Sequence, residues 1–155
     1  MWRVARISTK IKIDVVTIHD YALETQVKGM GEIKRLICYG HIKKQEEESM
    51  MNFIFDTGAH TTLIPRDWWI GKDVEIIGNH KLEGLISRKG CDLSVKIGKV
   101  KLKLIDKEGN ETPYFEIKAY LANINNVPLL LGLRDLPMST KIHLDIINNN
   151  CYFEF

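Results

Sequence analysis

One carboxylate with an unusual local sequence is the feature of this chain that could perform catalysis. The apolar run Phe53–Phe55 leads directly into Asp56, Thr57 and Gly58. A carboxylate at the end of a buried strand is costly unless hydrogen bonds or charges stabilise it. The threonine supplies a hydroxyl and the glycine a permissive backbone, so this loop can hold a carboxylate in a dry, polar niche. A plain surface turn has the same composition, and Asp-Thr-Gly alone does not decide between the two.

The cysteines and histidines do not indicate a metal site. Three cysteines and five histidines are dispersed along the chain, without C-x-x-C or H-x-x-x-H spacing. We therefore expect no metal and no cofactor. The odd, scattered cysteines predict reduced thiols in a reducing compartment, and so a cytoplasmic protein.

Length and composition indicate what kind of domain must position the loop. The chain has 155 residues, of which 45% are hydrophobic and 27% charged, a balance typical of one globular domain. No apolar run approaches the roughly 18 residues of a membrane span, and the first residues lack the apolar segment of a secretory signal. The net charge of +2 is too small to indicate a nucleic-acid or membrane partner.

The elements that carry the loop are predicted to be strands. Apolar and polar residues alternate in Ile11–Val15 and Lys99–Leu104, and Tyr114–Leu121 is rich in aromatic and apolar residues. Turn-forming residues separate such runs, which predicts an all-β sandwich or barrel. Helical signals are confined to Pro65–Trp69 and Leu133–Met138. We expect nine apolar residues on the strands around the loop to be largely buried: Phe53, Phe55, Leu63, Ile64, Val100, Leu102, Leu104, Leu130 and Leu131.

The order of motifs resembles that of the aspartic proteases, most closely the single-domain retropepsins of retroviral type. The main features are Asp56–Ala59 followed by Thr62–Pro65, and the segment Leu129–Gly132, which resembles the second signature of that family. Two weaker features are the glycine-bearing segment Leu82–Cys91, where the family has its flap, and the closing strand Cys151–Phe155.

This resemblance implies a fold and a division of the chain. The fold would be a retropepsin-like closed β-barrel or sandwich with a flap hairpin and one or two short helices. Residues 33–155 would form the protease domain. Residues 1–32 have no counterpart in the minimal viral enzyme, and we expect them to form an N-terminal β extension packed on the core.

The resemblance also implies an aspartic endopeptidase. In that chemistry two carboxylates share one proton: one deprotonates the attacking water and the other polarises the peptide carbonyl. Because the chain has one Asp-Thr-Gly and is too short for two lobes, Asp56 of each subunit would meet at the two-fold axis of a homodimer.

Further roles follow from the same resemblance. Thr57 would hydrogen-bond across the axis, and Gly58 would allow the backbone and the substrate to approach each other closely. An extended peptide or unfolded protein would bind by main-chain pairing beneath the flaps. The residues expected to contact this substrate are Ala59, Gly84, Leu85 and Ile86.

Two positions depart from the family pattern. His60 stands where the family often has an acidic residue, and Arg134 lies one residue further past Gly132 than in the viral enzymes. The sequence leaves open whether Arg134 pairs with Asp135, with another acid or with no acid.

Two other functions compete with proteolysis. The first is a catalytically silent dimer of the same fold that binds peptides, although such a module need not retain Asp56. The second is a small barrel that binds nucleic acid through Lys96, Lys99, Lys101 and Lys103. The low net charge and the lack of aromatic residues between these lysines argue against it.

Overall fold

The computed structural model describes residues 8–44, 49–83 and 92–155, and strands dominate these residues. The strands are β1 (Lys10–His19), β2 (Glu32–Ile42), β3 (Met51–Asp56), β4 (Leu63–Ile64), β5 (Val74–Leu82), β6 (Leu93–Ile105), β7 (Phe115–Ala122), β8 (Leu130–Gly132), β9 (Lys141–Asp145) and β10 (Asn150–Glu154). The helices are α1 (Tyr21–Gln26), α2 (Arg66–Trp69) and a 3₁₀ helix at Leu133–Asp135. The predicted all-β class is confirmed.

The ten strands form one sheet that is partly closed into a ring. Their order is β5-β6-β7-β4-β8-β3-β2-β1-β10-β9, and a further pairing joins β6 to β2. The strands from β6 round to β2 therefore enclose a core, while β1, β10 and β9 continue the sheet beyond it.

The alternation of apolar and polar residues explains which face of the longest strand, β6, is buried. In β6, Val100, Leu102 and Leu104 are at most 1% exposed, because successive side chains point to opposite faces and these three share the core face. Lysines occupy the opposite face. Lys99 forms an ion pair with Glu75 at 3.7 Å, so this face has acidic neighbours and is not a purely basic stripe.

Eight of the nine residues predicted to be buried are buried, with exposed fractions of 3% or less. The ninth, Leu130, is half-buried. It packs at the margin of a smaller apolar cluster with Leu63, Leu93 and Val95, separate from the main core. Leu130 is therefore less buried than the other eight, although it is not exposed.

The helices differ from their prediction at the ends. Pro65 precedes α2 as its N-cap and is not its first helical residue. The segment predicted from Leu133 to Met138 keeps helical geometry only as far as Asp135, shortly before Pro137. The sequence analysis did not predict α1. Its N-cap Asp20, whose carboxylate accepts a hydrogen bond from the N–H of Leu23, was the available signal.

The N-terminal strand lies inside the sheet. β1 pairs with β10 through Lys10–Ile13 and with β2 through Asp14–His19. Ile11 and Ile13 are fully buried in the main core. A turn between β6 and β7 adds a further contact, because the Asp106 carboxylate accepts a hydrogen bond from the N–H of Lys12 at 3.1 Å.

Candidate active site

Asp56 lies at the end of β3, where strands from distant parts of the sequence meet. β8 runs parallel to β3, with Asp56 opposite Gly132, and antiparallel to β4, with Leu130 opposite Leu63. β8 therefore lies between the strand that precedes the Asp56 loop and the strand that follows it. This arrangement fixes both ends of the loop.

Hydrogen bonds within the loop orient the carboxylate. Asp56 Oδ1 accepts a hydrogen bond from the N–H of Gly58 at 2.8 Å, and its carbonyl accepts one from the N–H of Ala59 at 3.1 Å. Asp56 and Ala59 are half-buried, whereas Thr57 and Gly58 are exposed. The structure thus brings the sequence-predicted residues Asp56–Ala59 together as a turn that presents one carboxylate at the surface of the single chain.

The segment after β8 packs directly beneath this loop. The N–H groups of Leu133 and Arg134 donate to the carbonyls of Ala59 and His60, at 2.9 and 3.1 Å. A Cβ atom placed on Gly132 would lie 2.5 Å from the carbonyl carbon of Thr61, closer than packed atoms tolerate. The close approach therefore requires glycine at position 132.

Two buried threonines connect the loop to the same segment. Thr62 Oγ1 accepts a hydrogen bond from the N–H of Gly132 at 3.0 Å, and Thr61 Oγ1 accepts one from Arg134 Nη2 at 2.7 Å. The N–H of Thr62 donates to Asp135 Oδ2 at 2.6 Å. The sequence analysis gave neither threonine side chain a role. Their signal was a pair of polar residues inside an otherwise apolar run, Thr61 and Thr62 before Leu63.

The arrangement of Arg134 and Asp135 answers the question left open by the sequence. Arg134 binds the Thr61 hydroxyl. Burial raises the pKa of the Asp135 carboxyl, although the hydrogen bonds from Thr62 and the charge of Arg134 act in the opposite direction. His60 is exposed, and its carbonyl, not its side chain, takes part in the bond to Arg134. His60 and Arg134, the two positions that depart from the family pattern, are thus joined by a backbone hydrogen bond.

The predicted flap is described only at its base. β5 and β6 pair antiparallel up to Leu82 opposite Leu93. The proposed substrate-contacting residues Gly84, Leu85 and Ile86 lie outside the described residues. Leu82 and Leu93 pack in the same small apolar cluster as Leu63 and Leu130, which flank the Asp56 loop. The base of the hairpin and the strands beside Asp56 therefore share one apolar cluster, in which Leu82 and Leu130 are partly exposed.

Thiol and metal chemistry have little support in the described residues. Cys38 and Cys151 are free and buried, and burial raises the pKa of both thiols, which disfavours the nucleophilic thiolate. Residues 8–44, 49–83 and 92–155 contain no group of three His, Cys, Asp or Glu side chains able to hold a metal ion. No helix within these ranges is long and apolar enough to cross a membrane.

The comparisons with known proteins do not assign the chain to a family. No protein-family model matches it, and no curated protein matches its sequence.

Proposed function

We propose that this chain is an aspartic endopeptidase of retropepsin-like architecture that acts as a homodimer. The observation that carries the proposal is the Asp56 turn itself. A carboxylate is held by the N–H of Gly58, stands at the surface of the chain, and rests on a close-packed support that admits only glycine at position 132. A solvated surface turn needs no such support.

The mechanism requires a second carboxylate, which a second copy supplies. Two carboxylates in hydrogen-bonding range cannot both ionise cheaply, so the pair holds one proton. The ionised member accepts a proton from the attacking water, while the protonated member donates to the peptide carbonyl. Thr57 and Gly58 are exposed in the single chain. In the dimer the Thr57 hydroxyl bonds across the two-fold axis and Gly58 lets the two loops approach.

The substrate is an extended peptide or an unfolded segment of a protein. Main-chain pairing with sheet edges binds any sequence, and apolar surface beside the loop then selects among side chains. The half-buried side chains of Leu82 and Leu130, which pack against the buried Leu63, provide such a surface. The buried free thiols of Cys38 and Cys151 support a reducing compartment, and we place the enzyme in the cytoplasm.

The test is the substitution Asp56→Asn, because an amide cannot serve as the base and cannot share a proton. We expect hydrolysis of a denatured protein substrate to fall to background across the acid range. The thermal midpoint and the sedimentation coefficient should stay unchanged, since asparagine is nearly isosteric. Asp67→Asn is the matched control, since Asp67 is an exposed aspartate in α2; this variant should retain full activity.

A catalytically silent peptide-binding dimer is the second candidate. The observation that favours it is the pairing of Arg134 with a threonine hydroxyl, where the family pattern would have an acid. The same experiment separates the two functions. Equal residual cleavage by wild type and Asp56→Asn, together with retained peptide binding, would mean that the chain binds peptides and does not cut them.

A further inference from the structure

One side of β7 carries backbone groups that no described strand pairs. The neighbour on that side is β4, which runs parallel to β7 and meets only Tyr120 and Leu121. The Tyr120 N–H donates to the Thr62 carbonyl at 2.8 Å, so the backbone groups of Tyr120 face β4. Because backbone groups alternate in direction along a strand, the N–H and C=O groups of Glu116 and Lys118 face the same side. None of these four groups has a hydrogen-bond partner among the described residues.

A groove lies along this unpaired edge. Its volume is about 640 Å³, and residues 115–118 form one wall and residues 134–138 the other. The far wall includes Arg134 and Asp135, which hold the two buried threonines behind the Asp56 loop. The groove therefore lies behind that loop, and Asp56 is not among the residues that line it.

The two faces of β7 differ beside this groove, and the difference restricts what can pair with the edge. Glu116 and Lys118 are exposed on one face, whereas Ile117 is 3% exposed and packs in the core on the other. The far wall adds two apolar side chains, the buried Leu136 and the fully exposed Met138. Residues opposite each other in a sheet share a face, so a strand added here would alternate polar and apolar side chains.

The charges at this edge favour an acidic residue in the added strand. Lys118 lies opposite Lys99 of β6, and like charges directly opposite each other destabilise a sheet. Lys99 has an acidic partner in Glu75, whereas Lys118 forms no ion pair with a described residue. Glu116 differs, because it lies opposite Lys101. A carboxylate opposite Lys118 on an added strand would supply the missing opposite charge.

We propose that the groove between β7 and residues 134–138 receives an extended segment of a partner protein, which joins the sheet as a strand beside Glu116 and Lys118. The segment alternates apolar and polar residues and places an aspartate or glutamate opposite Lys118. This binding site goes beyond the proposed function, because the main-chain pairing needs neither Asp56 nor a second copy of the chain.

The test is amide hydrogen exchange measured by NMR, with the capped peptide acetyl-Thr-Val-Glu-Val-Thr-amide as the probe. In the free chain the N–H groups of Glu116 and Lys118 should exchange quickly. The N–H of Ile117 faces β6 and should be protected both with and without the probe. Binding is measured in Asp56→Asn, so that the probe is not cut. At ten times the dissociation constant of the probe, exchange at Glu116 and Lys118 should slow about tenfold.

Charge substitution tests the residue that faces the segment. A matched probe with lysine in place of glutamate should bind at least about threefold more weakly. Adding Lys118→Glu should reverse this preference, since the edge then carries two acids. Lys81→Glu, at an exposed position of β5 outside the groove, is the control and should keep the original preference. Lys118 and Lys81 are both exposed, so the thermal midpoints should not change.

Three results would each overturn the proposal. Protection of the Glu116 and Lys118 amides in the free chain would mean that another part of the protein covers this edge. Probe-induced protection confined to other strands would place the binding site elsewhere. An unchanged preference between the two probes in Lys118→Glu would mean that Lys118 does not face the segment. A chain that binds the probe at β7 but cuts no substrate would refute the protease proposal alone.

Discussion

Asp106 is the described carboxylate with the most hydrogen bonds, and it joins the turn between β6 and β7 to β1. It is 8% exposed and accepts hydrogen bonds from the N–H groups of Lys12, Glu108 and Asn110 and from the Asn110 side-chain amide. Burial acts to raise the pKa of this carboxyl, but the hydrogen bonds from Asn110, Lys12 and Glu108 outweigh it. The net result is a pKa below the usual value.

The lowered pKa predicts how stability depends on acid. Because the folded-state pKa lies below the unfolded one, the contribution of Asp106 is complete above about pH 4 and is lost as the pH falls through the folded value. Asp106→Asn should lower the free energy of unfolding at pH 7 by about 1–3 kcal/mol. That deficit should shrink at pH 3. Urea unfolding at one fixed protein concentration measures both values.

Asp73→Asn is the control for this titration, since Asp73 is exposed. Its effect should be small at both pH values. If the Asp106→Asn deficit were the same at pH 3 as at pH 7, the hydrogen bonds would not be favouring the ionised carboxylate.

For single residues, the sequence predicted the site residues that are consecutive in the chain and missed the contacts between residues that are distant in the chain. The Asp56 loop could be found because its strand, carboxylate, threonine and glycine are consecutive. The bonds from Thr62 to Gly132 and Asp135 join residues about 70 positions apart. No short pattern marks such a contact, because it depends on which strands become neighbours in the sheet.

Among the elements, β8 has the largest effect on the site, and Gly132 is its most constrained residue. The backbone of Gly132 is extended, with φ near −81°, so alanine meets no conformational penalty there. The only obstacle is the space occupied by the backbone of His60 and Thr61.

Gly132→Ala should therefore displace the Asp56 loop. Overpacking against backbone atoms costs about 1–3 kcal/mol, and the proposed activity should fall with it. Gly78→Ala in β5 is the matched control, because its added Cβ would lie 3.8 Å from the nearest atom of Ile97, an ordinary contact. Chemical denaturation and peptide hydrolysis of both variants test the difference. Equal, small losses would show that the support beneath Asp56 is not close-packed.

The strands themselves were largely predictable, and their order was not. Alternation in Ile11–Val15 and Lys99–Leu104 corresponds to parts of β1 and β6, and Tyr114–Leu121 overlaps β7 closely. Pairing order depends on contacts between residues far apart in sequence, and alternation is the same whichever neighbour a strand takes. The position of β8 between β3 and β4 therefore became visible only in the structure.

For the whole molecule, continuity of the sheet links the N-terminus to the proposed site. β1 pairs with β10, and Phe153 of β10 packs edge-on against Phe55, one residue before Asp56, with ring centroids 5.0 Å apart. Ile13 is fully buried in the same core. The N-terminal strand thus supports the site indirectly, because it pairs with β10 and β10 packs against Phe55.

This link predicts unequal effects from two substitutions in one strand. Ile13→Ala should lower the free energy of unfolding by about 2–5 kcal/mol, because it removes buried methylene groups and leaves a cavity. Val16→Ala, at a position 38% exposed, should cost less than about 1 kcal/mol. Urea unfolding at fixed protein concentration measures both, and hydrolysis by the two variants is then compared at a temperature where both are folded. Small, equal losses of stability would mean that β1 is a peripheral appendage, whereas a large loss confined to Ile13→Ala would make residues 10–19 as much a part of the folded core as the strand that ends in Asp56.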